Sequence, residues 1–175
     1  MPPGLVRVVA ALMAPLPLLT HPLEAQTGPA PAAACASAEH HQFDFWIGDW
    51  DVALPDGSRA GANHIEPILQ GCVLRENWAG ARGSQGTSYN IYDTARRRWH
   101  QTWVDDRGHL LVLEGTFAAG RMTLEGETTD SAGRVERQRI VWEATAPGRV
   151  RQLWESSSDG GTTWTTAFDG RYTRR

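Results

Sequence analysis

One glutamate of the sequence lies in a pattern that suits acid/base chemistry. Glu76 stands two positions before Trp78, in a segment (69–78) with the alternation of a strand. One face of that segment carries Cys72, Leu74, Glu76 and Trp78. A carboxyl group buried beside indoles has a raised pKa, so it can donate or accept a proton near neutral pH. The alternative, which we prefer at this point, is a structural ion pair with an inward arginine; the candidates are Arg137, Arg139 and Arg151.

A second group of residues is suited to holding a small organic molecule. Amide side chains share predicted strand faces with tryptophans, whereas a packed core favours Leu, Ile and Val. Indoles stack on flat or ring-shaped ligands, and amides fix their orientation. The predicted ligand-binding residues are Trp78, Asn90, Tyr92, Gln101, Trp103, Gln152 and Trp154, with Trp99 and Trp142 as further members of the aromatic wall. The alternative is that several of these tryptophans only fill a small barrel.

Other chemistries have weaker support in the sequence. The histidines lack metal-ligand spacing; His100 and His109, which flank one predicted hairpin, are the pair placed to meet around a metal or haem. No metal site and no cofactor is predicted. The sequence has no P-loop, dinucleotide-binding or nucleophile-elbow motif. All 17 basic residues are arginines, scattered among 20 acidic residues with a net charge of -3, which disfavours nucleic acid as a partner.

The elements that position these residues are predicted to be strands. From Trp46 onward, alternating segments rich in Trp, Val, Ile, Thr and Tyr are separated by turns that contain Gly, Asp or Pro. Strands are predicted near 46–54, 59–66, 69–78, 86–93, 98–105, 109–117, 121–129, 134–145, 149–156 and 163–173. Tight hairpins without long crossovers indicate an antiparallel meander, and a long meander tends to close because closure removes its edges. The predicted fold is all-β, an antiparallel up-and-down β-barrel of about 8–10 strands without substantial helix in the mature domain.

The N-terminal region is predicted to be an export signal followed by a linker. Arg7 precedes an apolar run (8–19), and a cleavage site of small-residue type lies before Gln26. The run is too short and too interrupted by proline to span a membrane. The predicted organisation is a signal peptide over 1–25, a Pro/Ala-rich linker over 26–42 and a single barrel domain over 43–175. The expected location is the periplasm or the extracellular space.

Export changes the meaning of the two cysteines. In an oxidising compartment an even pair favours a disulfide, which here would join Cys35 to Cys72 and tie the linker to the body. Closing a loop of that length stabilises the fold by about 3 to 4 kcal/mol in the chain-entropy description. A free reactive thiol is one alternative. Lipid attachment at Cys35 is another, because the preceding alanines weakly resemble a lipoprotein cleavage site.

The first and last predicted strands carry a recognisable pair of motifs. The stretch FDFWIGDWDV (43–52) contains a Gly-x-Trp at Gly48 and Trp50, and the last strand contains FDGRYTR (168–174). This pair resembles the calycin superfamily, which includes the lipocalins and fatty-acid-binding proteins. In calycins the Gly-x-Trp closes one end of the barrel and an arginine of the last strand packs across the indole. The resemblance therefore implies that Gly48, Trp50 and Arg171 form a barrel end. The series FDFWIGDWDV, LQGCVLRENW, TSYNIYD, RWHQTWVDDRG and VRQLWESSSDGGTTW is more closely similar to exported bacterial lipocalin-like proteins of unassigned function.

One difference from the fatty-acid-binding proteins bears on the expected ligand. The carboxylate clamp of fatty-acid-binding proteins, Arg-x-Tyr, is here the adjacent pair Arg171-Tyr172, and adjacent strand residues point to opposite faces. A fatty acid is therefore not the expected ligand.

The stretch SSDGGTTW (157–164) resembles the Asp-box of propeller proteins, and as a single copy it predicts a hairpin.

The predicted function is that of an exported β-barrel that binds a small, partly polar organic molecule in an aromatic-lined cavity. The first alternative is an isomerase, cyclase or hydratase that uses Glu76 as acid/base in the same cavity. The second is an interaction module, which requires a contiguous apolar patch on the outer face.

Overall fold

Ten antiparallel strands make up most of residues 34–175, the part of the chain that this computed structural model describes. The strands are β1 (Gly48–Ala53), β2 (Arg59–Ile68), β3 (Val73–Gly80), β4 (Gln85–Asp93), β5 (Arg98–Asp105), β6 (Leu110–Ala118), β7 (Arg121–Thr129), β8 (Val135–Ala146), β9 (Arg149–Ser157) and β10 (Thr165–Arg174). Short 3-10 helices occupy Ala38–His41, Asp44–Trp46 and Leu69–Gly71. The predicted signal peptide lies outside the described residues.

The sheet closes on itself. Each strand pairs with the next along the chain, and β1 pairs with β10, with Trp50 opposite Arg174. The predicted fold class is therefore confirmed, and each predicted strand overlaps an observed one. The start of β3 is the largest difference. Leu69, Gln70 and Gly71 all have positive φ angles, of 50°, 59° and 86°, which turn the chain where a strand was predicted.

The antiparallel order gives the barrel two distinct ends. One end, the cavity end, carries the hairpins β1–β2, β3–β4, β5–β6, β7–β8 and β9–β10. The other, the plug end, carries the remaining hairpins together with the residues that lead into β1. Since neighbouring strands run in opposite directions, inward residues late in odd-numbered strands or early in even-numbered strands lie at the cavity end.

A cluster of aromatic side chains fills the plug end. The 3-10 helix Asp44–Trp46 brings Phe43 and Trp46 into the barrel, and their rings stack with centroids 4.9 Å apart. Phe43 also contacts Trp99 and Trp142, at centroid distances of 5.7 and 5.3 Å. We call Phe43, Trp46, Trp50, Trp99 and Trp142 the aromatic plug; all five are buried. The prediction that Trp99 and Trp142 belong to a ligand-binding wall is wrong, because their positions, early in β5 and late in β8, place them at the plug end.

The arginine that packs on Trp50 is Arg174, which corrects the assignment of this role to Arg171. The Arg174 guanidinium lies 4.5 Å from the Trp50 ring centroid and donates a hydrogen bond of 2.8 Å to the Ile47 carbonyl. Arg171 instead lies on the outer face and pairs with Asp169 at 3.3 Å. The reason is alternation along β10, in which residue 174 shares the inward face of Tyr172 and residue 171 does not. Gly48 leaves the space that the guanidinium occupies, since a Cβ there would collide with it.

A disulfide joins Cys35 to Cys72, as predicted, and ties the segment before the plug to the β2–β3 connection. Both sulfurs are engaged in this bond, so neither the free-thiol nor the lipid-attachment alternative fits the structure. The predicted linker extends to residue 42, but Ala38–His41 is a 3-10 helix and the Trp99 indole N–H donates to Gln42 Oε1 at 3.1 Å. The end of that segment is thus part of the packed structure. No helix among residues 34–175 has the length and apolarity needed to cross a membrane.

The single Asp-box forms the β9–β10 hairpin, as predicted. The Asp159 carboxylate accepts hydrogen bonds from the Thr163 hydroxyl and from the backbone N–H groups of Thr162 and Thr163. These donors lower the pKa of Asp159 well below its ordinary range. The Arg139 guanidinium packs on the Trp164 indole, with its central carbon (Cζ) 4.0 Å from the ring centroid. This motif therefore stabilises a turn at the cavity end.

Candidate functional site

The barrel contains a cavity of about 210 Å³ at the cavity end. Its lining residues are Glu76, Trp78, Gln101, Trp103, Leu111, Ile140, Gln152, Trp154, Ala167, Phe168 and Tyr172. This volume lies below the range of about 300–1,000 Å³ typical of sites for drug-sized ligands. The cavity therefore has the size of a site for a small molecule.

Glycines on the inward faces of neighbouring strands determine where the aromatic walls lie. A Cβ at Gly86 of β4 would collide with the Trp103 ring, and one at Gly61 of β2 would come within 2.8 Å of the Trp78 ring. Each indole therefore lies against the backbone of an adjacent strand. The rings cover the wall without filling the centre of the barrel, and space for a ligand remains between them.

Glu76 lies at the inner end of this cavity and is 4% exposed. Asn63 Nδ2 donates to its Oε1 and the Ser88 hydroxyl donates to its Oε2, each at 2.7 Å. Strand register explains both contacts: Ser88 is directly opposite Glu76 on β4, and Asn63 is opposite Trp78 on β2. These neutral groups are its hydrogen-bond partners among the described residues.

The predicted ion pair of Glu76 with an arginine is wrong. Arg139 pairs with Glu155 and Arg151 with Asp169, both at 2.8 Å, and Arg137 lies 3.6 Å from Glu125. Alternation places these arginines on the outer face, since the inward positions are those of Gln138, Ile140 and Trp142 on β8 and of Val150 and Gln152 on β9. The Glu76 carboxyl is therefore buried without a cationic partner among residues 34–175.

Burial without a counter-charge raises the pKa of Glu76 from 4.5 to about 7. Desolvation is the main cause, and the hydrogen bonds from Ser88 and Asn63 only partly oppose it. Near neutral pH both the acid and the carboxylate form are populated. The group is thus able to accept or donate a proton, or to offer either a negative charge or an O–H donor to a molecule in the cavity.

Glu76 belongs to a continuous set of buried polar groups that we call the polar belt. Its members are Asn63, Glu76, Ser88, Asn90, Gln101, Gln152 and Tyr172. On one side, Gln101 donates to Asn90 Oδ1 at 2.8 Å and Asn90 donates to the Ser88 hydroxyl at 2.9 Å. On the other side, Asn63 donates to the Tyr172 oxygen at 3.3 Å, and the Tyr172 hydroxyl donates to Gln152. The belt fixes the polar surface of the cavity, because each side chain is held by a neighbour.

Most of the predicted ligand-binding residues come together in the cavity. The lining includes Trp78, Gln101, Trp103, Gln152 and Trp154. Asn90 belongs to the polar belt but is outside the lining, and Tyr92 lies toward the plug end, where its ring contacts His40 and Trp99 at 5.3 and 6.0 Å. Position along β4 explains the difference, since Tyr92 is near the strand end that meets the plug. Whether the lining residues bind a ligand stays a prediction.

Sequence reasoning missed several residues of the site. Asn63, Ser88, Phe168 and Tyr172 were not predicted as site residues, although Ser88 shares a predicted face with Asn90. For the other three residues, alternation along the strands could have indicated an inward position. On β2 it puts Asn63 on the same face as Gly61 and Ile65, and on β10 it puts Phe168 on the same face as Tyr172. Recognising their partners required the strand register as well.

His100 and His109, the pair placed to meet around a metal, lie on the outer surface and have separate partners. His100 contacts the Thr102 hydroxyl at 2.8 Å, and His109 contacts Asp105 at 2.9 Å. Within the described part of the chain, no three side chains of His, Cys, Asp or Glu come together in a way that could hold a metal ion.

Exposed apolar side chains also lie on the outer face of β4, β5 and β6. They are Tyr89, Ile91, Val104, Leu110 and Val112, with exposures between 37% and 59%. Register brings Val104 opposite Leu110, and both Tyr89 and Val112 opposite Thr102. This is the kind of surface that the interaction-module hypothesis requires, and that hypothesis stays a prediction.

Fold and site together define a class of protein: a closed ten-stranded antiparallel β-barrel with a small internal cavity and a buried carboxyl group at its inner end. This architecture is consistent with a calycin-like fold. A scan against models of known protein families found no match, and neither did a search of curated proteins.

Proposed function

We propose that this protein is a calycin-like barrel that binds a small, partly polar organic molecule in its cavity. The observation that carries the proposal is the cavity itself, in which three indoles and the Phe168 ring surround Glu76, Gln101 and Gln152. Concave, mostly apolar sites with a few fixed polar groups are typical of small-molecule binding. The polar belt supports the proposal, because preorganised donors and acceptors give orientation at little entropic cost.

A cavity-filling substitution tests this proposal. Leu111 lies on the inward face of β6 and lines the cavity, whereas its neighbour Val112 is 42% exposed on the outer face. The purified protein is soaked in cell extract, and native mass spectrometry detects any retained molecule. We expect wild type and Val112→Trp to retain the same added mass and Leu111→Trp to lose it. Equal retention by both variants, or none by the wild type, would count against binding in the cavity.

The second candidate function is an enzyme that uses Glu76 as acid/base for isomerisation, cyclisation or hydration. One observation favours it: Glu76 lines the cavity with no ion-pair partner among residues 34–175, and its pKa is raised to about 7. The two functions separate once a retained molecule is known. A binding protein returns it unchanged, whereas an enzyme converts it and Glu76→Gln stops the conversion while the fold remains.

We also propose that the protein is exported to the periplasm or the extracellular space. The disulfide supports this location, because such bonds persist in oxidising compartments. Cell fractionation of the producing organism tests it, and a cytoplasmic location would contradict it.

A further inference from the structure

We infer that the cavity takes a small organic cation, which places its charge against the Glu76 carboxylate and its apolar groups against the surrounding indoles. This inference rests on the proposed function and specifies the chemical class of the ligand.

The first observation is the sign of the charge inside the barrel. Glu76 is the single ionisable carboxyl group in the lining, which contains no arginine or histidine. The groups that face it from the packed strands are Asn63 and Ile65 of β2, Ser88 of β4, Gln101 of β5, Gln152 of β9 and Tyr172 of β10. Tyr172 is the one titratable group among them. Burial, followed by the charge of Glu76, raises the pKa of Tyr172 well above its ordinary value, so its phenol remains neutral.

The second observation is that the two arginines next to Glu76 and Gln152 along the chain lie on the outer face with acidic partners of their own. Arg75, one residue before Glu76 on β3, pairs with Glu66, and Arg151, one residue before Gln152 on β9, pairs with Asp169. Neither reaches the cavity, because adjacent residues of a strand point to opposite faces. A buried carboxylate without a counter-charge is unfavourable. A bound cation supplies the missing charge.

The third observation is the electronic character of the walls. Trp78, Trp103 and Trp154 line the cavity, and indole faces attract cations more strongly than other aromatic side chains do. The Trp154 N–H donates to Gln138 Oε1 at 2.7 Å, and Gln138 in turn donates to the Glu136 carboxylate at 2.9 Å. This chain polarises the N–H bond toward the acceptor and makes the Trp154 ring richer in electrons. An alkylammonium group matches such a site in size, in shape and in charge.

Two probes of the same shape test the inference. Choline and 3,3-dimethylbutan-1-ol differ only in that the quaternary nitrogen of choline is replaced by carbon, so the alcohol is neutral. Calorimetric titration at pH 8 is expected to show choline binding at least about tenfold more tightly than the alcohol. Glu76→Gln is expected to remove most of that preference. Glu127→Gln, the same change at an exposed residue of β7, is expected to retain it.

The pH dependence provides an independent readout. With a pKa of about 7, the ionised fraction of Glu76 falls from about nine-tenths at pH 8 to about 3% at pH 5.5. Choline affinity is therefore expected to fall by up to about 30-fold over this range in the wild type and to remain constant in Glu76→Gln.

Failure of this inference is distinguishable from failure of the proposed function. If the alcohol binds as tightly as choline, and more tightly at pH 5.5, the cavity binds neutral molecules with Glu76 protonated; the cation inference is then overturned and the proposed function stands. If neither probe binds, the cation inference is also overturned, and the retention experiment with Leu111→Trp decides separately on the proposed function.

Discussion

A single buried carboxyl group makes the stability of this protein depend on pH. The pKa of Glu76 is about 7 in the folded state, against an ordinary value of 4.5. The folded protein therefore holds a proton that the unfolded chain releases between these two values. It follows that the contribution of Glu76 to the unfolding free energy is largest below pH 4.5, decreases as the pH rises to 7 and is constant above that.

Glu76→Gln is expected to abolish this decrease. The difference between the two pKa values corresponds to about 3 kcal/mol. Because other groups titrate equally in both proteins, the wild type should lose about 3 kcal/mol of unfolding free energy relative to Glu76→Gln between pH 4 and pH 8. Chemical denaturation at both pH values measures this difference. Parallel pH profiles for the two proteins would contradict the assignment, and Glu127→Gln serves as the control for amide substitution on the outer face.

At the scale of the strand, glycine and tryptophan act together to keep the cavity open. Gly86 of β4 is on the inward face beside Ser88, and the Trp103 ring of β5 occupies the space that a side chain at residue 86 would take. Glycine in a strand interior normally weakens the strand, because it adds backbone freedom and has no side chain to pack. Here its lack of a side chain lets the indole lie flat along the wall.

Gly86→Ala is accordingly expected to push the Trp103 ring into the cavity. The fold should remain, because the clash involves the far end of a side chain that borders open space. A crystal structure of the variant should show a smaller cavity, and native mass spectrometry should show that any molecule retained by the wild type is lost. Gln85→Ala, at the exposed adjacent residue, should retain it. An unshifted Trp103 ring in Gly86→Ala would refute this account of the wall.

At the scale of the whole molecule, the sequence predicts the barrel better than it predicts the site. Turn residues and alternation are local signals, so they give the strands and correctly place Glu76, Gln101 and Trp103 on inward faces. The partners of Glu76 depend on register between strands, because Asn63 is 13 positions away and Ser88 is 12 positions away along the chain. The predicted ion pair of Glu76 fails for a different reason: alternation places Arg137, Arg139 and Arg151 on the outer face, where each meets a carboxylate of a neighbouring strand.

To predict which end of the barrel each tryptophan occupies, the direction of its strand is needed as well as the face on which it lies. Alternation alone puts Trp99 and Trp103 on the same face of β5, and both are inward in the structure. They nevertheless lie at different ends of the barrel, because the strand runs from the plug to the cavity. Counting hairpins from the first strand would have separated them, since direction alternates at every turn.

This separation divides the eight tryptophans into three groups by their place in the structure. Trp46, Trp50, Trp99 and Trp142 are sealed in the plug, Trp78, Trp103 and Trp154 border the cavity, and Trp164 lies in the β9–β10 turn. A molecule that enters the cavity contacts the middle group and is expected to change its emission most, while loss of the plug exposes the first group to water and is expected to redden its emission. The intrinsic fluorescence of the unlabelled protein thus carries separate signals for occupancy and for integrity of the barrel.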